Sequence, residues 1–230
     1  VEKERSIILE EWRHRAGVNR RLTDAIAPVV YNNSGYATHN VIGSQDFLRS
    51  FQQKQVKQFY DKWYRPNLQF IAIIGDVDLD QTEKNIQAVF KTLPNKLAPA
   101  VDPQVRNIPD NADPLYLRFI DPENKSASFG LYQRYNVKGN APEEDRVRQF
   151  IFTKFFNTLA PKRFVMLKNA DKENFIAAEV SLSPLVRDYY QMAWDMVPYE
   201  GKEQKALQQM LAVRASLRDH GFTAAEFNAE

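Results

Sequence analysis

The sequence contains no cysteine. This absence excludes a disulfide framework, a thiolate nucleophile and a zinc site with cysteine ligands. It does not separate the cytoplasm from the periplasm, since many proteins of either compartment have no disulfide. Histidine is also scarce. The chain has three, His14, His39 and His220, and no two lie four residues apart. Neither His-Glu-x-x-His nor the inverted His-x-x-Glu-His can therefore be written in these residues.

Other absences remove further classes of protein. No apolar run approaches the roughly 20 residues of a membrane-spanning helix. With only 8 glycines, the chain contains neither a phosphate-binding glycine loop nor a Gly-x-Ser-x-Gly nucleophile motif. The 31 basic and 29 acidic residues nearly balance, and no basic patch is interleaved with aromatic residues. We therefore expect neither a transmembrane segment nor a nucleic-acid partner.

What is present is an ordinary globular composition. Hydrophobic residues make up 43% and charged residues 26% of the 230 positions, which is enough apolar surface for a sizeable core. Both ends resemble the interior of a longer chain. Val1 begins a charged helical pattern without an initiator methionine, and the Thr223–Glu226 pattern opens a helix only a few residues before Glu230. We expect a segment of a larger protein.

The first part of the chain has clear local signals. Residues 2–15 predict a charged helix, and an apolar stripe at three- and four-residue steps predicts one helix over 44–65. The β-branched run 68–74 predicts a well-buried strand. Asp80, with an acidic residue three positions later, predicts the start of a helix that ends near Leu93.

A proline-rich stretch over 94–114 predicts a linker between two halves of the chain. Beyond it the pattern predicts four strands, at 115–121, 128–136, 174–182 and 188–197, and two helices, at 142–160 and 202–220. Strands and long helices without regular βαβ alternation favour the α+β class. We therefore predict antiparallel sheets with helices packed on one face.

Two glutamates in the first helix are candidates for a metal site. Glu4 and Glu11 are seven residues apart, so two helical turns place them on one face. Two carboxylates on one face can serve a metal, with one binding it and the other supporting the site. The simpler interpretation is a solvated acidic face, because glutamates are mostly exposed. His14 follows Glu11 by three residues, and its simpler interpretation is likewise a solvated helix residue.

Four motifs occur in order along residues 2–93, and each resembles a known family signature. They are 4–11 (ERSIILEE), 41–43 (VIG), 59–67 (FYDKWYRPN) and 73–78 (IIGDVD). Together they resemble the pitrilysin/insulinase family of zinc metallopeptidases, the inverzincins. A weaker likeness continues through 159–163 and 221–227. One departure is His39, which stands where the family has a proline.

The resemblance implies a domain arrangement. Residues 1–97 would be the C-terminal half of the first, zinc-site peptidase domain, and 98–112 would be the linker. Residues 113–230 would be the N-terminal part of a homologous second domain. Such tandem domains enclose extended peptides, and the parent protein would be a bacterial enzyme built from four of them.

The resemblance also implies chemistry. Glu11 matches the family's third zinc ligand, and Glu4 matches its accessory carboxylate. The two histidine ligands and the general base would lie on an upstream helix that these residues do not include. We therefore expect zinc in the full-length parent but none in this segment, which should be inactive alone. The implied partners are a peptide or small-protein substrate and the remaining domains of the same chain. The compartment stays open, with the periplasm favoured for a Gram-negative source.

Two alternatives remain. The parent could be a non-catalytic relative that acts as a scaffold or peptide-binding subunit, in which case the upstream His-x-x-Glu-His would be missing. The chain could also be an unrelated α+β module, in which case Glu11 would be turned into a core.

Overall fold

The computed structural model describes residues 2–93, 107–137, 142–170, 173–186 and 188–228. The chain divides into two compact units, Val1–Phe119 and Ile120–Glu230. Within the described residues the first unit contains helices alone, and all three strands belong to the second. No helix in these ranges combines the length and the apolar character needed to cross a membrane.

Six α-helices and one short 3-10 turn build the first unit. They are α1 Glu2–His14, α2 Val18–Val30, α3 Gly35–Thr38, α4 Gln45–Ser50, α5 Gln53–Trp63, the turn Pro66–Leu68, and α6 Leu79–Phe90. The helix predicted over 2–15 is confirmed to within one residue. Helix α2 was not predicted, because Pro28 reads as a helix breaker. Pro28 lies in the last turn, where its missing N–H removes a hydrogen bond only near the helix end.

The single helix predicted over 44–65 is wrong, because the chain divides it into α4 and α5. Phe51 has extended backbone angles, and the Gln52 N–H donates to the side chain of Gln55 at 2.7 Å, which closes a new N-terminus. The start of α6 also differs from the prediction. Asp78, rather than Asp80, is the N-cap, and its carboxylate accepts from the N–H of Gln81 at 2.8 Å.

The buried strand predicted over 68–74 is wrong. Residues 69–74 are extended but belong to no ladder among the described residues. Their side chains are exposed, with Phe70 at 93% and Ile74 at 96%. A strand needs a neighbour to pair its N–H and C=O groups, and the described residues of the first unit contain no other strand. The buried apolar side chains among the described residues of the first unit are those of Leu48 and Ile108.

The second unit is a three-stranded antiparallel sheet with helices. Its strands are β1 Phe129–Asn136, β2 Phe175–Val186 and β3 Tyr189–Pro198, in the order β1-β3-β2. Its helices are α7 Glu143–Leu159, α8 Lys162–Asn169, α9 Glu203–His220 and α10 Ala224–Asn228. Three of the four predicted strands and both predicted helices are confirmed. The strand predicted over 115–121 is wrong, since the described residues give it no pairing partner.

Helices α7, α8 and α9 pack on one face of this sheet. Val180 and Trp194 are register partners on β2 and β3, and Trp194 meets Phe164 of α8 edge-on at 6.3 Å between ring centroids. The buried cluster is Phe156, Ala160, Phe164, Phe175, Val180, Leu182, Trp194, Met196, Ala206 and Met210. The predicted α+β class with antiparallel pairing is therefore confirmed.

The predicted linker lies partly outside the described residues, which exclude 98–106. Residues 107–112 form no helix or strand. Ile108 is buried, and the Asn32 amide donates to the carbonyl of Pro109 at 2.9 Å. The division between the units comes after Phe119. The assignment of 1–97 and 113–230 to two homologous domains stays a prediction.

Candidate functional site

Helix α1 runs without a break through both candidate carboxylates. It begins with acidic residues in its first turn and ends with basic ones in its last, which suits the helix dipole. Glu4 and Glu11 are exposed, and seven helical residues separate them by about 10 Å along the axis. The helix thus provides the spacing on which the sequence argument depends, while the roles of both carboxylates stay predictions.

Glu11 has one charged partner within the described residues. Arg15, one turn later, donates from its guanidinium to a carboxylate oxygen of Glu11. The Glu11 side chain keeps 49% exposure, so it is not part of a core. An ion pair this exposed contributes little to stability. The Glu11 carboxylate can therefore be released to another cation at little cost.

No group of three histidine, aspartate or glutamate side chains within the described ranges could hold a metal ion. His14 is exposed at the end of α1. His39 meets the Gly35 carbonyl at 2.7 Å through Nδ1, and His220 is in the last turn of α9. A catalytic zinc needs three protein ligands. The donor set described here fits one ligand of such a site and does not fit the whole site.

Two side chains attach α1 to its surroundings, and sequence reasoning assigned neither contact. Arg5 is directed at the end of α4, and Arg20 of α2 stacks over the Trp12 ring at 5.7 Å. Trp12 itself is partly buried. The one feature of the sequence that could have drawn attention to Arg5 was its position next to Glu4 in the first motif.

A second polar centre lies on the sheet of the other unit. The Tyr132 hydroxyl donates to the Asp195 carboxylate, and Gly130 pairs with Asp195 across β1 and β3. A Cβ at Gly130 would come within 2.5 Å of the Tyr132 hydroxyl, so only glycine leaves room for the phenol. Burial, and then the hydrogen bond to Asp195, raise the pKa of Tyr132 well above its ordinary value. A phenol held protonated in this way is a structural link and not a base.

A family model described as the peptidase M16 inactive domain matches residues 50–230. The chain belongs to this family. The match leaves out α1 and therefore both candidate carboxylates.

Individual relatives agree with the family. The chain is 26% identical over 234 residues to the probable zinc protease PqqL of Escherichia coli (strain K12), an alignment that covers 99% of this chain and 24% of that protein. The crystal structure of the periplasmic protease PqqL from Escherichia coli matches with a TM-score of 0.75 at 25% identity, over 99% of this chain and 25% of that one.

A more distant structure shares the fold. The crystal structure of pitrilysin matches with a TM-score of 0.61 at 15% identity, over 99% of this chain and 25% of that chain. The resemblance to the pitrilysin/insulinase zinc metallopeptidases is confirmed. The chain spans about a quarter of the length of these relatives.

Proposed function

We propose that this chain is part of a zinc-dependent metallopeptidase that hydrolyses peptides or small proteins. The observation that carries the proposal is α1, which presents Glu4 and Glu11 two turns apart and exposed, in a chain of the M16 family whose relative is a probable zinc protease. The remaining ligands and the general base would come from other parts of the same polypeptide.

In this proposal Glu11 is a zinc ligand and Glu4 is the accessory carboxylate. A zinc ion bound by three protein ligands lowers the pKa of its bound water and polarises the scissile carbonyl. The chain's own contribution is to hold one carboxylate of the ligand set on a rigid helix. Because a single carboxylate does not retain zinc, we expect the 230 residues alone to bind no stoichiometric zinc and to cleave no peptide.

A non-catalytic role is the second candidate, and one observation favours it. The matching family model describes an inactive domain. In that case the parent would bind peptides, or scaffold a partner, through the same fold. The two candidates differ in one measurable property, which is whether the parent retains zinc through Glu11.

The decisive experiment is Glu11→Gln in the full-length parent, with zinc measured by elemental analysis after dialysis and cleavage measured on an unstructured peptide. We expect zinc and activity to fall together. Glu10→Gln, the neighbouring carboxylate paired with Arg13, is the matched control and should keep both. Retained zinc in the Glu11 variant would refute the ligand assignment, and a wild-type parent without zinc would favour the non-catalytic candidate.

We also propose a periplasmic location in a Gram-negative bacterium. The support is the matching Escherichia coli structure, which is described as a periplasmic protease. Fractionation of cells that express the parent, with a marker enzyme for each compartment, would test it.

A further inference from the structure

Arg5 joins α1 to the end of another helix. Its guanidinium donates from Nη1 to the carbonyl of Leu48 and from Nη2 to the carbonyl of Phe51, both at 2.6 Å. Leu48 lies in the last turns of α4, and Phe51 is the C-cap of that helix. Only 13% of the Arg5 side chain is exposed. The charge therefore sits in a specific, largely enclosed place.

The chemistry of a helix C-terminus explains this contact. The last four carbonyls of a helix have no N–H partner within it, and a cation is favoured there. Arg5 supplies two N–H donors to this end, in the fixed fork geometry that a lysine cannot reproduce. The Phe51 ring adds a third contact, since the Arg5 guanidinium carbon lies 4.2 Å from its centroid.

The guanidinium is also held from within α1. Arg5 Nε and Nη2 donate to the two carboxylate oxygens of Glu2, each at 3.0 Å. This hydrogen bond to Arg5 is the main cause that lowers the pKa of Glu2 below its ordinary value. Arg5 is thus oriented by its own helix before it reaches α4, and the orientation of α1 about its axis depends on this contact.

Helix geometry connects this contact to Glu11. At 3.6 residues per turn, Arg5 and Glu11 are separated by about 120° around α1 and by about 9 Å along it. With Arg5 anchored on α4, the Glu4 and Glu11 face is turned away from that anchor. A helix rotates as a rigid body, so an anchor at Arg5 constrains the direction in which the Glu11 side chain leaves α1, together with the contact of Arg20 on Trp12.

We propose that Arg5 is a positioning residue that sets the rotation of α1 and thereby aims Glu11 at the zinc site. This inference rests on the proposed function. Loss of a side chain hydrogen-bonded to a metal ligand typically weakens metal affinity 10- to 100-fold, and we expect the lower end of that range for Arg5, which acts on Glu11 through the rotation of α1. Arg5→Lys keeps the charge but loses the forked contact to the two carbonyls, so it should weaken zinc binding by about that factor.

The test measures the zinc dissociation constant of the full-length parent by competition with a chromophoric chelator, well below each variant's melting temperature. Arg13→Lys is the matched control, because Arg13 is an exposed arginine of the same helix that pairs with Glu10. We expect wild-type affinity for Arg13→Lys and a loss of about tenfold or more for Arg5→Lys. Phe51→Leu removes the ring contact with Arg5 together with the stacking of Phe51 on Phe47. It leaves the Arg5 hydrogen bonds in place and should cost about two- to fivefold, which keeps the test available if Arg5→Lys does not fold.

The outcomes separate this inference from the proposed function. If Glu11→Gln loses zinc while Arg5→Lys or Phe51→Leu binds it as the wild type does, the positioning role is refuted and the ligand assignment stands. If Glu11→Gln keeps its zinc, the proposed function fails, and the positioning role fails with it.

Discussion

At the scale of single residues, some polar side chains join two elements of the fold, and others remain available to a ligand. Glu11 is half-exposed, and its partner Arg15 directly follows the same helix. Tyr132 and Asp195 instead satisfy each other across two strands. The difference matters because withdrawing Asp195 would give up a hydrogen bond between strands worth about 1 kcal/mol, whereas an exposed ion pair contributes little.

Tyr132→Phe should lower the free energy of unfolding at pH 7 by about 1 kcal/mol, the usual worth of one hydrogen bond. The variant should also change how the free energy of unfolding declines at alkaline pH. Since the pKa of Tyr132 is raised in the folded state, its stabilising effect is complete below the unfolded pKa of about 10 and is lost as the pH rises beyond that value. Urea unfolding from pH 7 to pH 11 should therefore show a shallower decline for the variant.

The control for this prediction is Tyr116→Phe, because Tyr116 is 87% exposed. We expect its unfolding curves to follow the wild type at each pH. Equal alkaline limbs for wild type and Tyr132→Phe would contradict the assigned cause.

At the scale of elements, local sequence signals determine how α9 ends and α10 begins. Gly221 has φ of 64° and ends α9, as its left-handed conformation requires. The predicted capping pattern is confirmed, because the N–H of Thr223 donates to Glu226 at 2.7 Å and the N–H of Glu226 donates to the Thr223 hydroxyl at 3.3 Å. Arg163 of α8 binds the same carboxylate at 2.6 Å, so the cap also joins two helices.

Glu226→Gln should lower the free energy of unfolding at neutral pH by about 1 kcal/mol, the typical worth of a helix cap. The N–H of Thr223, and then the Arg163 guanidinium, lower the pKa of Glu226. This stabilisation is therefore present above the unfolded pKa of about 4.3 and is lost as the pH falls through the lower folded value. Thermal unfolding between pH 3 and pH 7 should show a flatter acid limb in the variant.

Glu200→Gln provides the comparison, since Glu200 is an exposed glutamate of the same unit. It should leave both the stability and the acid limb unchanged. An acid limb of wild-type steepness in Glu226→Gln would mean that another carboxylate controls it.

At the scale of the whole molecule, the two compact units differ in how their backbone and apolar groups are satisfied. In the second unit β3 is paired on both sides and the core is shared by three helices. In the first unit α5 has exposed apolar side chains, with Phe59 and Tyr60 each at 59%, and residues 69–74 have no strand partner among the described residues. Large exposed apolar surface marks an interaction site.

Amide hydrogen exchange on the 230-residue chain should reveal this difference. We expect the amides of Trp194 and Met196 in β3 to exchange slowest, through opening of the whole unit, and those of residues 70–74 to exchange at nearly unprotected rates. The strand β1, which is also extended but is paired with β3, is the internal control and should be protected. Strong protection of 70–74 would contradict the prediction and would indicate pairing with a second copy of the chain.

The sequence by itself determined the features that arise between near neighbours. The helix that holds Glu4 and Glu11 and the Thr223 cap were both predicted, because hydrogen bonds and side-chain periods within one or two turns decide them. The order of four motifs was also sufficient for the family. The candidate ligands themselves came from that resemblance, since two carboxylates on one helix face have no unique chemistry.

Only the tertiary structure decided the features that need a distant partner. Both 68–74 and 128–136 were predicted as strands, and the first is the more apolar of the two. Among the described residues only the second pairs with another strand, because a ladder depends on a neighbour that a local pattern cannot specify. The docking of Arg5 on Leu48 and Phe51 spans more than forty residues. The sequence could not predict this contact for the same reason. The acceptors are backbone carbonyls, which every residue has, and only the fold determines which carbonyls lack an N–H partner.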